Sequence, residues 1–373
     1  MHSLKSNFHL IIIMLAVAFS VTNCNDEETG LRGDEDAWIS VLRSIDDDKD
    51  NGYLLGIDED DNTIAISNQR ILLIDKQGQL FSNTEFSPPV KDRGRTNIHN
   101  GKIYRFSQDG SFDDFDPHST ITLEIFDLSG GLLSTHIIDA DGLIFDVVVE
   151  NDKMVGIMAY NVDNSIMKVQ KFHIDNGLQA EYVTSIGGTG STQLYIAENG
   201  DYHCFGVGPY FQLDNDLNLK IEKEFAGLNV KNIKDIPGQG KFLLGTRRGS
   251  PRDYIIAFVN DAGEEQYRKT IDTDLERSIE TFQINDEVIC INALKPEPNS
   301  NIELMFFDFD FNLLSTVDID GQDIVSNIIL NDNDSFTLIY GTETDNASSI
   351  FDSRPRVFKF DKTYTIPTDV IEQ

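Results

Sequence analysis

Residues 71–80 read ILLIDKQGQL: an apolar run that ends in an aspartate, a short turn, and the start of a second apolar run. The pattern recurs along the chain, and we call the aspartate or asparagine that ends the first run the marker residue. The markers are Asp75, Asp127, Asp175, Asp214, Asn260, Asp308 and Asp361. Their mean spacing, (361 − 75)/6, is about 48 residues. Repeats of about 40 to 50 residues are typical of four-stranded β-propeller blades.

Each unit also contains strand-like runs before its marker. In the third unit, residues 145–149 read FDVVV and residues 154–160 read MVGIMAY, joined by a short polar turn. β-Branched and aromatic residues dominate these runs and helical periodicity is absent, which favours strands. The sequence therefore predicts an all-β fold, a seven-bladed β-propeller, with six or eight blades as the alternatives.

One strand-like run, residues 38–45 (WISVLRSI), precedes the first unit and has no place within it. We expect this run to pair into the blade formed by the C-terminal end of the chain. Such pairing closes the ring and removes free sheet edges that would otherwise invite aggregation.

The N-terminal end of the chain has the composition of a secretory leader. Lys5 is followed by an apolar run over residues 8–19 and then by small and polar residues up to Cys24. About a dozen residues rising 1.5 Å each extend roughly 18 Å, which is too short for a bilayer core of ~30 Å. That length suits the apolar segment of a signal peptide. The alternative is an ordinary cleaved secretory peptide in which Cys24 has no role.

A lone cysteine at this place resembles the lipobox of bacterial lipoproteins. The acidic run after it, NDEE over residues 25–28, is similar to the export signal of surface lipoproteins of the Bacteroidota. The resemblance implies lipidation of Cys24 and a lipid-anchored, cell-surface location at the outer membrane. It divides the chain into a signal peptide (1–23), an acidic tether (24–36) and a β-propeller domain (37–373).

The repeat itself resembles the quinoprotein-like and YVTN-type seven-bladed propellers over essentially the whole mature chain. Quinoprotein blades carry a docking tryptophan in each unit, whereas the single tryptophan here, Trp38, lies outside the units. We therefore expect no quinone and no other cofactor. The histidines show no spacing typical of metal ligands, so no metal site is expected either.

The charge and the cysteine content limit the classes of partner. Thirty basic and 63 acidic residues give a net charge of 30 − 63 = −33. Nucleic acid and anionic lipid headgroups would be repelled by such a field, so the predicted membrane contact is through the lipid alone. Cys204 and Cys290 lie in apolar runs and are expected to be buried free thiols.

Recognition is expected on one face of the ring. The loops between the second and third strands and between blades are long, whereas the other class is tight, and long loops on a rigid scaffold commonly carry binding. Two of the long loops are basic, and they contain Arg93, Arg95, Arg247, Arg248 and Arg252. We predict that these arginines bind an anionic or acidic partner; the alternative is pairing with nearby carboxylates. Aromatic residues of the same loop class either contact the partner or anchor the loops: Phe112, Phe115, Tyr210 and Phe351.

The sequence contains no catalytic motif, such as a Gly-x-Ser-x-Gly elbow. The predicted function is a non-catalytic, surface-anchored binding or scaffold module for a protein or glycan, such as an accessory subunit of an outer-membrane complex. The first alternative is an extracellular glycan hydrolase or lyase that uses carboxylates in the central depression. A sensor or periplasmic assembly lipoprotein is a third hypothesis.

Overall fold

The structure is a computed structural model. It describes residues 37–42, 54–58, 60–67, 70–86, 94–108, 120–161, 166–184, 193–206, 208–236, 240–247, 250–271, 278–284, 287–294, 302–319, 327–330, 336–342, 354–360 and 370–372. Residues 36–373 form one compact unit. Within the described ranges, no helix has the length and apolar character needed to cross a bilayer.

The described residues form 29 strands in seven sheets, arranged as a seven-bladed β-propeller, which confirms the predicted fold. Strand β1 (Trp38–Val41) precedes the first blade. Blade 1 comprises β2 (Leu54–Ile57), β3 (Thr63–Ile66), β4 (Arg70–Ile74) and β5 (Leu80–Glu85). Blade 2 comprises β6 (Gly94–His99), β7 (Lys102–Gln108), β8 (Ile121–Asp127) and β9 (Leu132–Ile138). Blade 3 comprises β10 (Leu143–Asn151), β11 (Met154–Asn161), β12 (Ile166–His173) and β13 (Gly177–Thr184).

The remaining blades repeat this order of four antiparallel strands. Blade 4 comprises β14 (Gln193–Ile196), β15 (Tyr202–Phe205), β16 (Tyr210–Leu213) and β17 (Leu219–Lys223). Blade 5 comprises β18 (Leu228–Ile236), β19 (Gly240–Arg247), β20 (Ser250–Val259) and β21 (Glu265–Ile271). Blade 6 comprises β22 (Ser278–Ile284), β23 (Ile289–Leu294), β24 (Ile302–Phe307) and β25 (Leu313–Ile319). Blade 7 begins with β26 (Asn327–Leu330), β27 (Phe336–Thr342) and β28 (Arg354–Phe360), and the chain ends in β29 (Val370–Glu372).

Blade 7 closes the ring with both ends of the chain. Strand β1 pairs antiparallel with β28, in the register Trp38 to Lys359, as the spare N-terminal run predicts. The structure adds a feature that was not expected, because β29 pairs parallel with β1 and makes this sheet five-stranded. The N-terminal strand is therefore held on both of its edges.

The marker turns explain why the repeat is visible in the sequence. Asp75 Oδ1 accepts hydrogen bonds from the backbone N–H groups of Gln77 (3.0 Å) and Gln79 (2.8 Å). Gly78 completes the turn at a φ of 83°, where a side chain would be strained. The same cap forms at Asp127, Asp214, Asn260 and Asp308.

The marker of the third unit is corrected by the structure. His173, not Asp175, ends the third strand of blade 3, and its Nδ1 accepts the backbone N–H of Asp175 at 3.2 Å. Imidazole supplies the acceptor that a carboxylate supplies elsewhere. Asp361, the seventh marker, lies outside the described residues.

The core lies between neighbouring blades, because both faces of each sheet are covered. Tyr202 and Phe211 of blade 4 are buried against Met158 of blade 3. Cys204 and Cys290 are buried and free, which confirms the expectation for these thiols. Burial raises the pKa of both thiols above their ordinary value. These thiols therefore act as small apolar groups.

A buried ion pair within blade 3 is hydrogen-bonded to blade 4. Lys171 Nζ lies 2.8 Å from Glu150 Oε2, and the Tyr202 hydroxyl donates to the same carboxylate at 2.8 Å. Burial acts to raise the pKa of Glu150, but the hydrogen bonds from Lys171 and Tyr202 outweigh it and lower the pKa. The pair is fully hydrogen-bonded, as a buried pair must be to be stable.

Candidate ligand-binding site

A polar cavity of about 540 Å³ lies between blades 4 and 5, on the face that carries the tight turns. The turn between β14 and β15 and the start of β17 contribute its blade 4 side. The end of β18, the start of β19 and the turn between β20 and β21 contribute the other side. Its polar lining consists of Glu198, Asn199, Asp201, His203, Gln212, Lys220, Asp235, Lys241 and Asp261.

A chain of hydrogen bonds fixes the protonation of His203, which is fully buried. The Gln212 amide donates to Asp201 Oδ2 at 2.6 Å, so its oxygen faces Tyr210. The Tyr210 hydroxyl must then donate to Gln212 Oε1 (3.3 Å), because a carbonyl oxygen only accepts. The Tyr210 oxygen lies 2.6 Å from His203 Nδ1 and accepts from it. His203 Nε2 is therefore left with a free lone pair.

The second unpaired acceptor is Asp235 Oδ2. It lies 3.9 Å from His203 Nε2, too far for a hydrogen bond. Within the described part of the chain, both atoms are buried without a hydrogen-bond partner. Lys241 Nζ is 3.9 Å from the other oxygen of Asp235 and 3.8 Å from Asp261 Oδ1. An unsatisfied buried polar atom costs about 1–3 kcal/mol, so two facing ones require an explanation.

The pKa values of these groups depart from their ordinary values, as is common at functional sites. Burial lowers the pKa of His203 to about 3, with a smaller contribution from the positive charge of Lys241. Burial raises the pKa of Asp235; the positive charge of Lys241 acts to lower this pKa, and nearby carboxylates act to raise it. Burial acts to raise the pKa of Asp201, but hydrogen bonds from Lys220 and Gln212 outweigh burial and lower this pKa. His203 is therefore neutral at pH 7 and acts as an acceptor.

An aromatic cavity of about 280 Å³ adjoins the polar one and shares Ile236 with it. Phe242 lies at its centre, with ring centroids 5.6 Å from Phe309 and 5.7 Å from Phe311. The half-exposed ring of Tyr267 stacks on Phe311 at 5.2 Å. Phe311 adopts a φ of 60° in its marker turn, a conformation usually reserved for glycine. Together the two cavities offer a polar and an apolar compartment side by side.

The arginines predicted to bind a partner are only partly described. Arg95 lies in β6, is exposed, and donates to the carbonyl of Phe145 at 3.0 Å. Arg247 ends β19 and is exposed, and Arg252 lies within β20. Arg95 belongs to blade 2, three blades from the other two. Arg93 and Arg248 lie outside the described residues.

The predicted aromatic contacts are corrected in one case. Tyr210 begins β16 and is 2% exposed, so its ring cannot contact a partner. It packs against Phe225, with ring centroids 5.7 Å apart, which agrees with the anchoring alternative. The ring lies in a buried cluster formed by residues of blades 4 and 5. Cys24, Phe112, Phe115 and Phe351 lie outside the described residues.

Sequence reasoning missed the polar cavity because it assigned recognition to the long loops. One signal was present, since His203 interrupts an apolar strand, YHCF at 202–205. A polar side chain inside an apolar strand indicates a polar environment within the fold. The charged residues that face it across the cavity, Asp235 and Lys241, are distant in sequence and were not distinguishable from surface charges.

Comparison with known proteins adds no family. No family model matches the chain, and no curated protein matches it. Among solved structures, it is similar to a eukaryotic initiation factor at 7% identity and a TM-score of 0.40, covering 71% of this chain and 87% of that one. It is also similar to dipeptidyl peptidase 4 of Porphyromonas gingivalis at 11% identity and a TM-score of 0.44, covering 77% of this chain and 50% of that one.

A third similar structure is a quinoprotein alcohol dehydrogenase-like protein from Bacteroides thetaiotaomicron. The identity is 11% and the TM-score 0.47, with 72% of this chain and 66% of that chain covered. The chain thus spans half the length of the peptidase and about two thirds of the quinoprotein-like chain. These likenesses are too remote to indicate a function. The molecule is a seven-bladed β-propeller with a polar cavity between two blades.

Proposed function

We propose that this protein is a non-catalytic binding module, and that the cavity between blades 4 and 5 holds a small polar ligand. One observation carries the proposal: His203 Nε2 and Asp235 Oδ2 face each other at 3.9 Å, and among the described residues neither has a donor. A ligand that brings the missing donor removes the cost of both unsatisfied atoms at once. The cavity volume of about 540 Å³ is within the usual range for small-molecule sites.

The protonation of His203 favours binding over catalysis. A general base works best when its pKa is close to the working pH. Burial lowers the pKa of His203 to about 3, so it accepts hydrogen bonds at pH 7 but is a weak proton acceptor. The same side chain is well suited to hold a donor of a ligand.

The glycan hydrolase alternative has one supporting observation in this cavity. The pKa of Asp235 is raised and that of Asp201 is lowered, and such a pair can supply an acid and a base. Asp201 Oδ2, however, already accepts from Gln212 and Lys220, both at 2.6 Å. Glycan hydrolysis that is abolished by Asp235→Asn, with folding intact, would favour the enzyme over the binding module.

A panel of small compounds tests the binding proposal. The panel contains sugars, amino acids, amines, alcohols and carboxylic acids, each at millimolar concentration with the exported protein. A bound ligand stabilises the folded state by RT ln(1 + [L]/Kd), so at least one class should raise the melting temperature. The rise should disappear in Asp235→Asn and persist in Glu222→Gln, which removes an equal charge from an exposed position in blade 4. A panel without any Asp235-dependent shift would contradict the proposal.

Attachment to the outer membrane is part of the same proposal. The apolar run at 8–19 followed by Cys24 supports a lipid anchor, and the acidic residues behind it support export to the cell surface. Labelled palmitate should enter the wild-type protein and not Cys24→Ala. Equal labelling of the two proteins would contradict lipidation at this cysteine.

A protein or glycan partner on the long-loop face completes the proposal. The chain carries a net charge of −33, so an acidic partner could approach only where arginines reverse the field locally. The variant in which Arg247, Arg248 and Arg252 are all serine should bind an acidic partner more weakly and with less salt dependence. Its melting temperature should stay nearly unchanged. Unaltered affinity would show that these arginines are solvated charges only.

A further inference from the structure

We infer that the cavity between blades 4 and 5 recognises a primary ammonium group, which donates to both His203 Nε2 and Asp235 Oδ2. The inference rests on the proposed function, because it presupposes that the cavity holds a ligand. It goes further by naming the chemical class of that ligand.

The first step is the count of donors that the two atoms require. Both are acceptors, and they lie 3.9 Å apart. For a nitrogen or oxygen atom about 2.8 Å from each acceptor, the acceptor–donor–acceptor angle is about 90°, somewhat below the tetrahedral angle. One atom must therefore donate two hydrogens. A ligand hydroxyl has only one, and it would leave one acceptor unsatisfied, whereas an ammonium group has three.

The second step is the charge of the lining. The carboxylates of Glu198, Asp201, Asp235 and Asp261 face the two ammonium groups of Lys220 and Lys241, and His203 is neutral. The cavity thus has a formal charge of 2 − 4 = −2. A neutral donor such as an amide or a water leaves this excess in place, whereas an ammonium ligand reduces it.

A metal ion is the other cation to consider. Among the residues that the structure describes, no group of three or more His, Cys, Asp or Glu side chains is arranged to hold a metal. His203 Nε2 and Asp235 Oδ2 supply only two ligands. Hydrogen-bond donation by an organic cation therefore fits the site better than coordination.

The neighbouring cavity suggests what the ammonium group is attached to. Ile236 lines both compartments, and Phe242, Phe309 and Phe311 line the apolar one. An amine with an aromatic or aliphatic substituent can place its charge in the polar cavity and its apolar part against Ile236. Burial of that part would add hydrophobic free energy.

Three related probes test the inference: 2-phenylethylamine, its N,N,N-trimethyl analogue and 2-phenylethanol. The trimethyl compound keeps the charge without a donor, and the alcohol keeps one donor without the charge. Calorimetry with the exported protein should show that the primary amine binds at least tenfold more tightly than either analogue. Equal or tighter binding of the alcohol or of the trimethyl compound would overturn the inference.

Variants locate the binding. Asp235→Asn should lower the affinity for the amine at least tenfold, whereas Glu222→Gln should leave this affinity unchanged. Asp235 is partly buried, so its replacement could also affect folding. Asp261→Asn serves as a second variant, because the Asp261 side chain is 76% exposed and its replacement does not put folding at risk. The affinity of this variant for the amine should fall several-fold. Unchanged affinity in both cavity variants would overturn the inference.

The outcomes separate this inference from the proposed function. If the amine does not bind but another class of the panel binds in an Asp235-dependent manner, the ammonium inference is wrong and the binding module stands. If neither the amine nor any panel compound binds, both are wrong and the two acceptors are served by water alone.

Discussion

The buried neutral imidazole of His203 predicts a specific dependence of stability on pH. In the unfolded chain a histidine has a pKa near 6.5, whereas burial lowers the pKa of folded His203 to about 3. Below pH 6.5 the unfolded state therefore binds a proton that the folded state does not. The free energy of unfolding must therefore fall as the pH falls. The slope reaches about 1.4 kcal/mol per pH unit where the histidine is protonated in the unfolded chain and neutral in the folded protein. Between pH 7.5 and 4.5, with the full slope reached only below 6.5, the loss is about 3 kcal/mol.

The variant His203→Gln isolates this contribution. Glutamine does not titrate, but it can still pair with the Tyr210 hydroxyl, which lies 2.6 Å from His203 Nδ1. Carboxylates titrate in both proteins, so the difference between the two free energies of unfolding cancels their effect. Urea unfolding followed by circular dichroism at half-unit pH steps measures that difference. The wild type should lose about 3 kcal/mol relative to the variant between pH 7.5 and 4.5.

Parallel curves for the two proteins over this range would refute the reasoning. They would mean that His203 gains its proton in the folded state as readily as in the unfolded chain. The cavity would then be wetter than its geometry indicates, and the free lone pair on Nε2 would be lost as the pH falls through about 6.5. The absolute stability of the variant does not enter the test, because only the change with pH is compared.

Three further predictions concern the scaffold, and each is measured by urea unfolding. Lys171→Met should destabilise the protein by about 3–5 kcal/mol, because it leaves the carboxylate of Glu150 buried without its charged partner. Gly156→Ala should cost about 1–3 kcal/mol through overpacking, since a Cβ there would lie 2.5 Å from the Tyr202 ring. Deletion of residues 370–373 should lower stability and leave the far-ultraviolet circular dichroism nearly unchanged, because it removes only β29 from the closing blade. The role of the ion pair would be contradicted by a loss below 1 kcal/mol for Lys171→Met, and the overpacking by an unchanged stability of Gly156→Ala. A deletion variant that loses its β-sheet signal would contradict the limited role of β29.

The fold was predictable from the sequence because its repeat is local. The cap at Asp75 and the positive φ of Gly78 are properties of five consecutive residues, so they recur as a pattern of letters. The third marker was misplaced by two residues because a histidine can replace the capping carboxylate, and no pattern of acidic residues shows this. The closing role of β1 followed from counting strands, whereas its parallel pairing with β29 depends on a register that no local signal encodes.

The cavity was not predictable for the opposite reason. Its two unpaired acceptors come from adjacent blades, and His203 and Asp235 are 32 residues apart. That His203 Nε2 is an acceptor depends on the orientation of the Gln212 amide. This orientation fixes the direction in which the Tyr210 hydroxyl donates, and so the tautomer of His203. The arginines, by contrast, could be identified in the sequence as basic residues of predicted loops. The sequence could not show that Arg95 already donates a hydrogen bond to a backbone carbonyl of the next blade.

The placement of β1 in blade 7 has a consequence for how the chain folds. Of the described strands, the ribosome makes β1 first, but its antiparallel partner β28 is more than 300 residues further along. Contacts of such separation form late, since a very large loop must close before they add stability. Strand β1 must therefore stay without β28 and β29 while six blades form, and these two late strands then enclose it on both sides. A chain halted before β28 would keep an open ring with an exposed edge, a species prone to aggregation.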